Sequence, residues 1–337
     1  MAQTDVVIVG AGVIGLSCAL ELHAIGMRVT VLERDTAARQ ASWAAAGMLA
    51  GHDPANPVAL QTLADLSLSL YPAFLERIAA LGGATVPIET EWAMEPSRDP
   101  NAEPQQDLPQ LKVPGFARIA EQSLDPRKLA AALLQAVRSA GIDLREHTPV
   151  RSWTTSTNGA ELDANGETFT AGYALDCSGA WSGPPVRPAK GQMLRLSAPG
   201  ALTSSSFGNM VVRAPGIYLV PRLDGTVVIG ATIEDAGFDT RTNDADLRSL
   251  RERAAALIPA MHDAPEVERW AGLRPDTPDH LPLLGFVQDR RLVASGHFRN
   301  GILLAPATAR VMTRLIQHQT PEVDLVPFSP DRFALAQ

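Results

Sequence analysis

The sequence has 337 residues, of which 45% are hydrophobic and 20% are charged, so it can bury a large core and suits a soluble globular protein of two domains or one large α/β unit. Its formal net charge of −8 and its lack of clustered lysines and arginines argue against a nucleic-acid partner, because phosphate binding requires concentrated positive charge. The composition therefore favours a small-molecule partner.

The first patterned segment is Thr4 to Glu33, TDVVIVGAGVIGLSCALELHAIGMRVTVLE, which predicts a strand, a glycine turn, a helix and a second strand. Gly10, Gly12 and Gly15 form a Gly-x-Gly-x-x-Gly motif between the first strand and the helix. Such glycines let backbone N–H groups approach a pyrophosphate at the positive end of a helix. Glu33 ends the second strand, where a carboxylate can accept hydrogen bonds from ribose hydroxyls. The motif predicts dinucleotide binding and leaves NAD and FAD open.

Helical patterns follow the glycine motif. Apolar residues recur at helical spacing from about Val58 to Leu81, and residues 95–114, rich in proline, glutamine, aspartate and asparagine, predict an exposed loop. Asp125 then precedes Pro126 as an N-cap precedes a first-turn proline, which predicts a helix to about Ala140.

Strand patterns dominate the middle of the chain. Residues 153–171 carry turn signals at Asn158-Gly159 and Asn165-Gly166, which predict a small antiparallel meander. A hairpin is predicted to turn at Asp224-Gly225, and a helix is predicted from about Asp244 to Ile258.

The last hundred residues return to α/β signals, with a strand at RLVASG and a helix from about Gly301 to His318. This order predicts an α/β fold in which a Rossmann-like dinucleotide-binding domain, built from discontinuous segments, carries an inserted, mostly antiparallel α+β substrate domain. We assign residues 1–75, 125–190 and 270–337 to the first domain and residues 76–124 and 191–269 to the second.

The cysteines, histidines and serines indicate which kinds of catalytic site to expect. Cys18 and Cys177 lie in apolar segments and are predicted to be core thiols in a reducing compartment. The seven histidines show no metal-ligand spacing and no serine lies in a nucleophile-elbow pattern, so we expect no metal, metal-dependent hydrolysis or acyl-enzyme chemistry. No basic leader precedes the first strand and no apolar stretch is predicted to reach membrane-spanning length, so we expect a cytoplasmic protein without membrane insertion.

Five segments of the sequence resemble the glycine oxidase branch of the D-amino acid oxidase family of flavoproteins. They are VVIVGAGVIGLSCALEL, ASWAAAGML, DCSGAWSG, AGLRP and GHFRNGILLAPATA, which occur in that family's order over nearly the whole chain. The resemblance implies noncovalently bound FAD and oxidation of an amino acid's C–N bond to an imine, with O2 reduced to H2O2. The imine would then be hydrolysed to an oxo acid and ammonia, or consumed in thiamine thiazole synthesis.

The resemblance also implies which residues contact FAD. Small side chains in ASWAAAGML would let the backbone approach a flat ring, although the same segment would suit ordinary close packing. Helical N–H groups beginning at Asn300-Gly301 would face the flavin and stabilise the negative charge that collects there on reduction. With the glycine motif included, the predicted cofactor residues are Gly10, Gly12, Val13, Ile14, Gly15, Glu33, Arg34, Ser42, Ala45, Ala46, Gly47, Met48, Val150, Ser178, Gly179, Trp181, His297, Arg299, Asn300, Gly301, Ile302 and Leu303.

Hydride transfer to flavin N5 requires the α C–H of the substrate to be aimed at that atom. We therefore expect a carboxylate clamp, a set of side chains that binds the substrate carboxylate and so orients the substrate. Arg274, in AGLRP, resembles the family's carboxylate-binding arginine, and a bidentate contact of this kind contributes roughly 1.5–3 kcal/mol. Tyr218, in GIYLVPR, resembles a tyrosine whose hydroxyl holds the same carboxylate. Arg299 resembles an arginine near substrate and flavin; help to the carboxylate, tuning of entry and a structural ion pair all stay open.

Two positions depart from the family pattern. Gly216 replaces a histidine and Ile233 replaces a methionine, and both are expected at the substrate pocket. Glycine, sarcosine, D-alanine and D-proline therefore stay open as substrates. A dehydrogenase that passes electrons to another carrier and a non-enzymatic dinucleotide-binding protein are the alternatives, and a homo-oligomer is expected.

Two further charges have no assigned role in the sequence. Arg222 is unassigned, and Lys190 is predicted to be a solvated lysine near the junction of the two domains.

Overall fold

The computed structural model describes residues 4–82, 85–97, 115–197 and 210–336. The described strands are β1 (Thr4–Val9), β2 (Val29–Leu32), β3 (Ile88–Pro96), β4 (Phe116–Leu124), β5 (Asp143–Arg145), β6 (Val150–Ser156), β7 (Gly159–Ala164), β8 (Glu167–Asp176), β9 (Arg187–Ser197), β10 (Met210–Ala214), β11 (Ile217–Pro221), β12 (Thr226–Gly230), β13 (Glu266–Asp276), β14 (Leu283–Gln288) and β15 (Arg291–Ser295). The described α-helices are α1 (Val13–Ala24), α2 (Ala41–Ala44), α3 (Gln61–Gly82), α4 (Pro126–Ser139), α5 (Asp244–Leu257) and α6 (Gly301–Ile316).

The first sheet holds the dinucleotide-binding motif. Its strands run in the order β14-β15-β8-β1-β2-β5, with parallel pairing from β15 to β5. The predicted meander is confirmed as β6, β7 and β8, which pair antiparallel and connect to the sheet through β8. Helices α1, α3, α4 and α6 contribute to one apolar core on this sheet.

The second sheet has the order β13-β9-β12-β11-β10-β3-β4, and β10 with β3 is its parallel pair. Helix α5 packs on one face of it. The opposite face packs against the small-residue segment around α2, through Ala44 and Ala46. This second face of the sheet therefore lies against the predicted dinucleotide-binding domain.

The fold class is confirmed as an α/β fold with two sheets, one mostly parallel and one mostly antiparallel. The domain boundaries stay a prediction, because β9 and β13 run continuously across residues 190 and 270 as strands of the second sheet. Most of the predicted loop at 95–114 lies outside the described residues, and its first two residues belong to β3.

Local signals placed several elements correctly. The Asp125 carboxylate accepts a hydrogen bond from the Arg127 backbone N–H at 2.8 Å and caps α4, with Pro126 in its first turn. Gly26 has φ +86° just beyond α1, as expected of a glycine that ends a helix. Cys18 and Cys177 are free and buried, as predicted.

Helix α6 contains Pro306, which cannot donate a hydrogen bond to the carbonyl of Ile302. The Tyr71 hydroxyl of α3 donates to that carbonyl at 2.6 Å. Ser67, also on α3, donates to the Leu303 carbonyl at 2.6 Å. Side chains of α3 thus replace helical hydrogen bonds at the start of α6, which fixes the position of that helix end.

Residues Val58–Gly82 form a helical segment of 25 residues. By length and composition alone, this segment is long and apolar enough to cross a membrane. The expectation that no apolar stretch reaches this length is therefore wrong. In the fold, Leu63, Phe74 and Ile78 of this segment are buried in the core of the first sheet.

Candidate active site

The turn between β1 and α1 uses its three glycines differently. Gly10 has φ +101°, and a Cβ there would lie 2.5 Å from the Cys177 carbonyl oxygen. A Cβ at Gly15 would overlap the Gly10 carbonyl, so both glycines are required by the protein itself. Gly12 is different, because a Cβ added there would have the Ser42 hydroxyl as its nearest neighbour, at 3.3 Å. Gly12 therefore faces the open groove.

This groove is a cavity of about 390 Å³ at the carboxyl ends of the parallel strands. Eleven of the predicted cofactor residues line it, namely Gly10, Gly12, Val13, Ile14, Glu33, Arg34, Ser42, Val150, Ser178, Gly179 and Trp181. Ligands of open α/β sheets bind at this edge, where helix N-termini and strand ends meet. The structure thus brings half of the predicted set together at this groove.

The Glu33 carboxylate fixes the shape of the groove. One oxygen accepts from the Ala11 backbone N–H at 2.8 Å and the other from the Asp35 N–H at 3.0 Å. The Ser42 hydroxyl accepts from the Val13 N–H at 2.9 Å, at the beginning of α1. These contacts hold the glycine turn, and the remaining acceptor sites of Glu33 lie at the groove lining.

Sequence reasoning missed Asp176 at the end of β8. Its carboxylate accepts from both the backbone N–H and the hydroxyl of Ser178, at 3.0 and 2.5 Å, and Arg291 lies 3.7 Å away. Burial raises the pKa of Asp176, although Ser178 and Arg291 oppose that shift. An aspartate at the end of a buried strand was the available signal.

Arg34 and Trp181 form one wall of the groove. The Arg34 guanidinium carbon lies 3.7 Å from the centre of the Trp181 ring, a cation–π contact. The ring of Phe238 also stacks on Trp181, with ring centroids 5.3 Å apart.

The segment Ala45 to Met48 lies between the groove and the second sheet. Arg222 donates to the Ala46 carbonyl at 2.7 Å and to the Leu124 carbonyl at 3.1 Å, which gives this previously unassigned arginine a structural role. A Cβ at Gly47 would overlap the Leu124 carbonyl. The packing interpretation of this glycine is therefore supported directly, and flavin contact by the segment stays a prediction.

Arg274 and Tyr218 lie on the same side of the second sheet. The Arg274 guanidinium passes over Gly191, where a Cβ would overlap it, and donates to the Thr232 carbonyl at 3.2 Å. Tyr218 passes over Gly230 in the same way. Desolvation raises the pKa of Tyr218, and the charge and hydrogen bond of Arg274 oppose it only in part, so the hydroxyl stays a donor.

Arg299 extends this cationic region from the beginning of α6. It donates to the Asn56 side-chain oxygen at 3.1 Å and lies 3.4 Å from the Asp53 carboxylate. Burial lowers the pKa of Arg299, Asp53 raises it, and the charges of Arg213 and Arg274 lower it further. Arg299 therefore has a structural ion pair and also lies close to the carboxylate-binding candidates.

Arg213 was missed by sequence reasoning. It pairs with Tyr218 across β10 and β11, is only 8% exposed, and contacts Asp53, Glu95 and Glu121 at 3.1, 2.9 and 2.9 Å. Burial raises the pKa of Glu121 to about 7, and Arg213 lowers it in part. Only the register of two strands reveals that this arginine lies beside Tyr218.

The remaining predicted residues cluster at the beginning of α6. Asn300 is the N-cap and donates to Asn56 at 3.0 Å, while Gly301, Ile302 and Leu303 form the first helical turn. His297 is buried with its Nε2 3.0 Å from the Thr308 hydroxyl, and burial lowers its pKa to about 3. Its imidazole is therefore neutral and packed against α6, so cofactor contact by its ring stays a prediction.

Three sequence expectations need correction or qualification. Lys190 is not solvated: it is 5% exposed, and its ammonium lies 3.2 Å from the Glu234 carboxylate. Gly216 lies in the exposed turn after β10, where Arg253 donates to its carbonyl at 2.8 Å, and Ile233 is also exposed. Both departures from the family pattern therefore lie at exposed positions, and their place at the substrate pocket stays a prediction.

The family model for DAO, FAD-dependent oxidoreductase, matches residues 5–315. The glycine oxidase of Pseudomonas aeruginosa is 34% identical over 96% of this chain and 98% of that protein. The crystal structure of glycine oxidase from Geobacillus kaustophilus superposes with a TM-score of 0.91 at 32% identity, covering 98% of this chain and 99% of that one. The bifunctional ThiO/ThiG protein of Synechocystis is 35% identical, and the chain spans 54% of its length.

The chain belongs to the DAO family of FAD-dependent oxidoreductases.

The groove fits the FAD of this family. The space facing Gly12 is free of backbone, the beginning of α1 opens onto it, and Glu33 lies where the second strand ends. A pyrophosphate at that helix end and ribose hydroxyls at the carboxylate would satisfy these groups. In the described residues, no cluster of three His, Cys, Asp or Glu side chains is arranged to hold a metal ion.

Proposed function

We propose that this DAO family member is a glycine oxidase that converts glycine, O2 and water to glyoxylate, ammonia and H2O2. The observation that carries the proposal is the convergence of Arg274 and Tyr218 on one sheet face that packs against the cofactor domain. This arrangement provides a positive guanidinium and a neutral phenol for one carboxylate. The glycine oxidases of similar sequence and fold support the choice of substrate.

Arg274 would bind the substrate carboxylate, and Tyr218 would donate a hydrogen bond to it. Charge-assisted hydrogen bonds of this kind fix orientation as well as contributing affinity. Bound FAD would supply the hydride acceptor. Holding the carboxylate fixes the direction of the α C–H bond, so positioning by these two residues is the main contribution of the protein.

The beginning of α6 would contribute electrostatically. Its first N–H groups have no side-chain cap, and the positive end of a helix stabilises nearby negative charge. Tyr71 and Ser67 hold this helix end in place through the Ile302 and Leu303 carbonyls. The helix would therefore present a fixed dipole to the reduced cofactor.

The substrate itself is open to test. Sarcosine, D-alanine and D-proline are the alternatives, and an amino acid dehydrogenase with a carrier other than O2 is the alternative reaction. Purified protein should be yellow, should bleach with glycine in the absence of O2, and should release one H2O2 per glycine in air. Bleaching without peroxide would support the dehydrogenase, and no bleaching by glycine, sarcosine, D-alanine, D-proline or their L-counterparts would refute amino acid oxidation.

Further parts of the proposal concern cellular context. A cytoplasmic location is supported by the two free buried cysteines, and use of the imine in thiazole synthesis is supported by the match to ThiO/ThiG. A homo-oligomeric state is also proposed. Light scattering of the purified protein tests the assembly, and fractionation of cells tests the location.

A further inference from the structure

The segment of residues 231–240 follows β12 and carries the carbonyl that holds Arg274. The Arg274 guanidinium donates to the Thr232 carbonyl at 3.2 Å. No residue from 231 to 240, all of them described, is buried, and Ile233 and Phe238 are exposed by 70% and 54%. Because the side chains of this segment are only partly covered, polar contacts are needed to fix the position of this carbonyl.

The polar contacts converge on the Glu234 side chain. One carboxylate oxygen accepts from the Thr232 hydroxyl and from the Gln192 amide nitrogen, the latter at 2.8 Å. The other oxygen lies 3.2 Å from the Lys190 ammonium. Backbone hydrogen bonds of 3.0 and 2.9 Å also join Glu234 to Lys190 in both directions.

The partners of Glu234 belong to the rigid part of the sheet. Gln192 is fully buried in β9, and its own side chain also bonds to the Asn243 N–H at 2.6 Å and to Asp246 at 2.8 Å. The Gln192 backbone N–H donates to the Thr232 hydroxyl at 2.8 Å. Glu234 and Gln192 thus hold Thr232 from two sides, with β9 as the fixed support.

Strand β9 also contacts the Arg274 guanidinium directly. Gly191 lies between Lys190 and Gln192, and it is the residue over which Arg274 passes. The β9 segment Lys190–Gln192 therefore provides the space for Arg274 through its glycine and fixes the acceptor of Arg274 through its two polar side chains.

We infer that Glu234 is a positioning residue for substrate carboxylate binding, acting through Thr232 on Arg274. The inference rests on the proposed carboxylate site. Burial alone would raise the pKa of Glu234, but the hydrogen bonds from Thr232 and Gln192 and the Lys190 ammonium hold it below its usual value. The carboxylate is therefore ionised at neutral pH and accepts from all three partners.

The test uses the FAD-loaded protein with acetate as a non-oxidisable carboxylate, whose binding is followed by the change in flavin absorbance. Glu234→Ala should raise the acetate Kd and the KM for glycine by about ten-fold or more, with kcat and flavin content close to those of the wild type. Asp235→Asn changes the neighbouring exposed carboxylate and should leave both constants unchanged. Unchanged acetate Kd in Glu234→Ala would overturn the inference.

A second pair of variants avoids leaving Lys190 without its partner. Thr232→Val removes the hydroxyl but keeps the shape and the carbonyl, so it should weaken acetate binding several-fold. Thr232→Ser keeps the hydroxyl and should restore most of that loss. Equal acetate affinity in the valine and serine variants would contradict the inference. If wild-type protein binds acetate but oxidises no amino acid, the proposed function fails while this inference is still tested.

Discussion

The guanidinium of Arg274 lies over Gly191 of the neighbouring strand, in the space that a Cβ atom would fill. Tyr218 lies over Gly230 by the same geometry. Two large polar side chains can therefore turn along the surface of the sheet toward each other, because the strands beside them carry no side chain there. Glycine in a strand interior is unfavourable by itself, and close approach by another group is a recognised reason for it.

Removal of the arginine should affect substrate binding and leave the cofactor in place. We expect Arg274→Ala to raise the KM for glycine by roughly 10- to 100-fold, because a charge-assisted contact of about 1.5–3 kcal/mol is lost. Peroxide release across a glycine titration measures it. Arg241→Ala is the control, since that arginine is 88% exposed and pairs only locally with Asp239. Wild-type kinetics in Arg274→Ala would rule out the clamp.

The glycine beneath the arginine gives a sharper test of the geometry. Gly191→Ala adds a methyl group where the guanidinium lies, so it should raise the KM nearly as much as Arg274→Ala does. In the Arg274→Ala background the same change should have little further effect on KM, because the two residues share one contact. Additive effects on log KM in the double variant would show that Gly191 acts by some other route.

The glycine motif allows cofactor binding to be separated from folding. We expect Gly12→Val to lose FAD while keeping its fold, because residue 12 is extended, with φ −76° and ψ −178°, and faces the groove. Gly10→Ala should instead destabilise the protein, since its Cβ would meet the Cys177 carbonyl. The flavin-to-protein absorbance ratio and the thermal unfolding of stripped wild-type protein provide the comparison. Full flavin occupancy in Gly12→Val would contradict the assignment.

Much of this architecture could be predicted from sequence because its signals are local. The glycine turn, the Asp125 cap and the turn at Asn165-Gly166 each depend on neighbours within a few residues. The contacts of Arg213 with Asp53 and of Arg222 with Ala46 join segments that lie far apart in the chain. Such contacts have no periodic signature, so the sequence could not reveal them.

The burial of Lys190 also could not be predicted from the sequence. A single lysine in a sequence is most often exposed, and nothing near it in the chain indicates otherwise. Its partner Glu234 follows three further described strands in the chain, and the pairing of β9 with residues after β12 brings it to Lys190. Burial of the lysine follows from that pairing.

A buried carboxyl beside Arg213 should make stability depend on pH. Burial raises the folded-state pKa of Glu121 to about 7 from 4.5, so its stabilising contribution is fully present below about pH 4.5 and is lost as pH rises through about 7. Relative to Glu121→Gln, the wild-type free energy of unfolding should fall by about 1–3 kcal/mol between pH 4.5 and 7.5. Urea unfolding at both pH values measures this difference. His297 is present in both proteins, so its opposite pH dependence cancels, and a constant difference between the two proteins would refute the shift.

The hydroxyl of Tyr71 should stabilise the beginning of α6. Tyr71→Phe leaves the Ile302 carbonyl without its donor, because Pro306 has no N–H to replace it. Leaving a buried carbonyl unsatisfied costs about 1–3 kcal/mol, so the free energy of unfolding should fall by that amount. Tyr173→Phe is the matched control, since its hydroxyl contacts His318 in a partly buried site and its removal should cost less. Denaturant unfolding of both variants measures this difference. Equal losses in the free energy of unfolding would show that the Ile302 carbonyl does not require the Tyr71 hydroxyl.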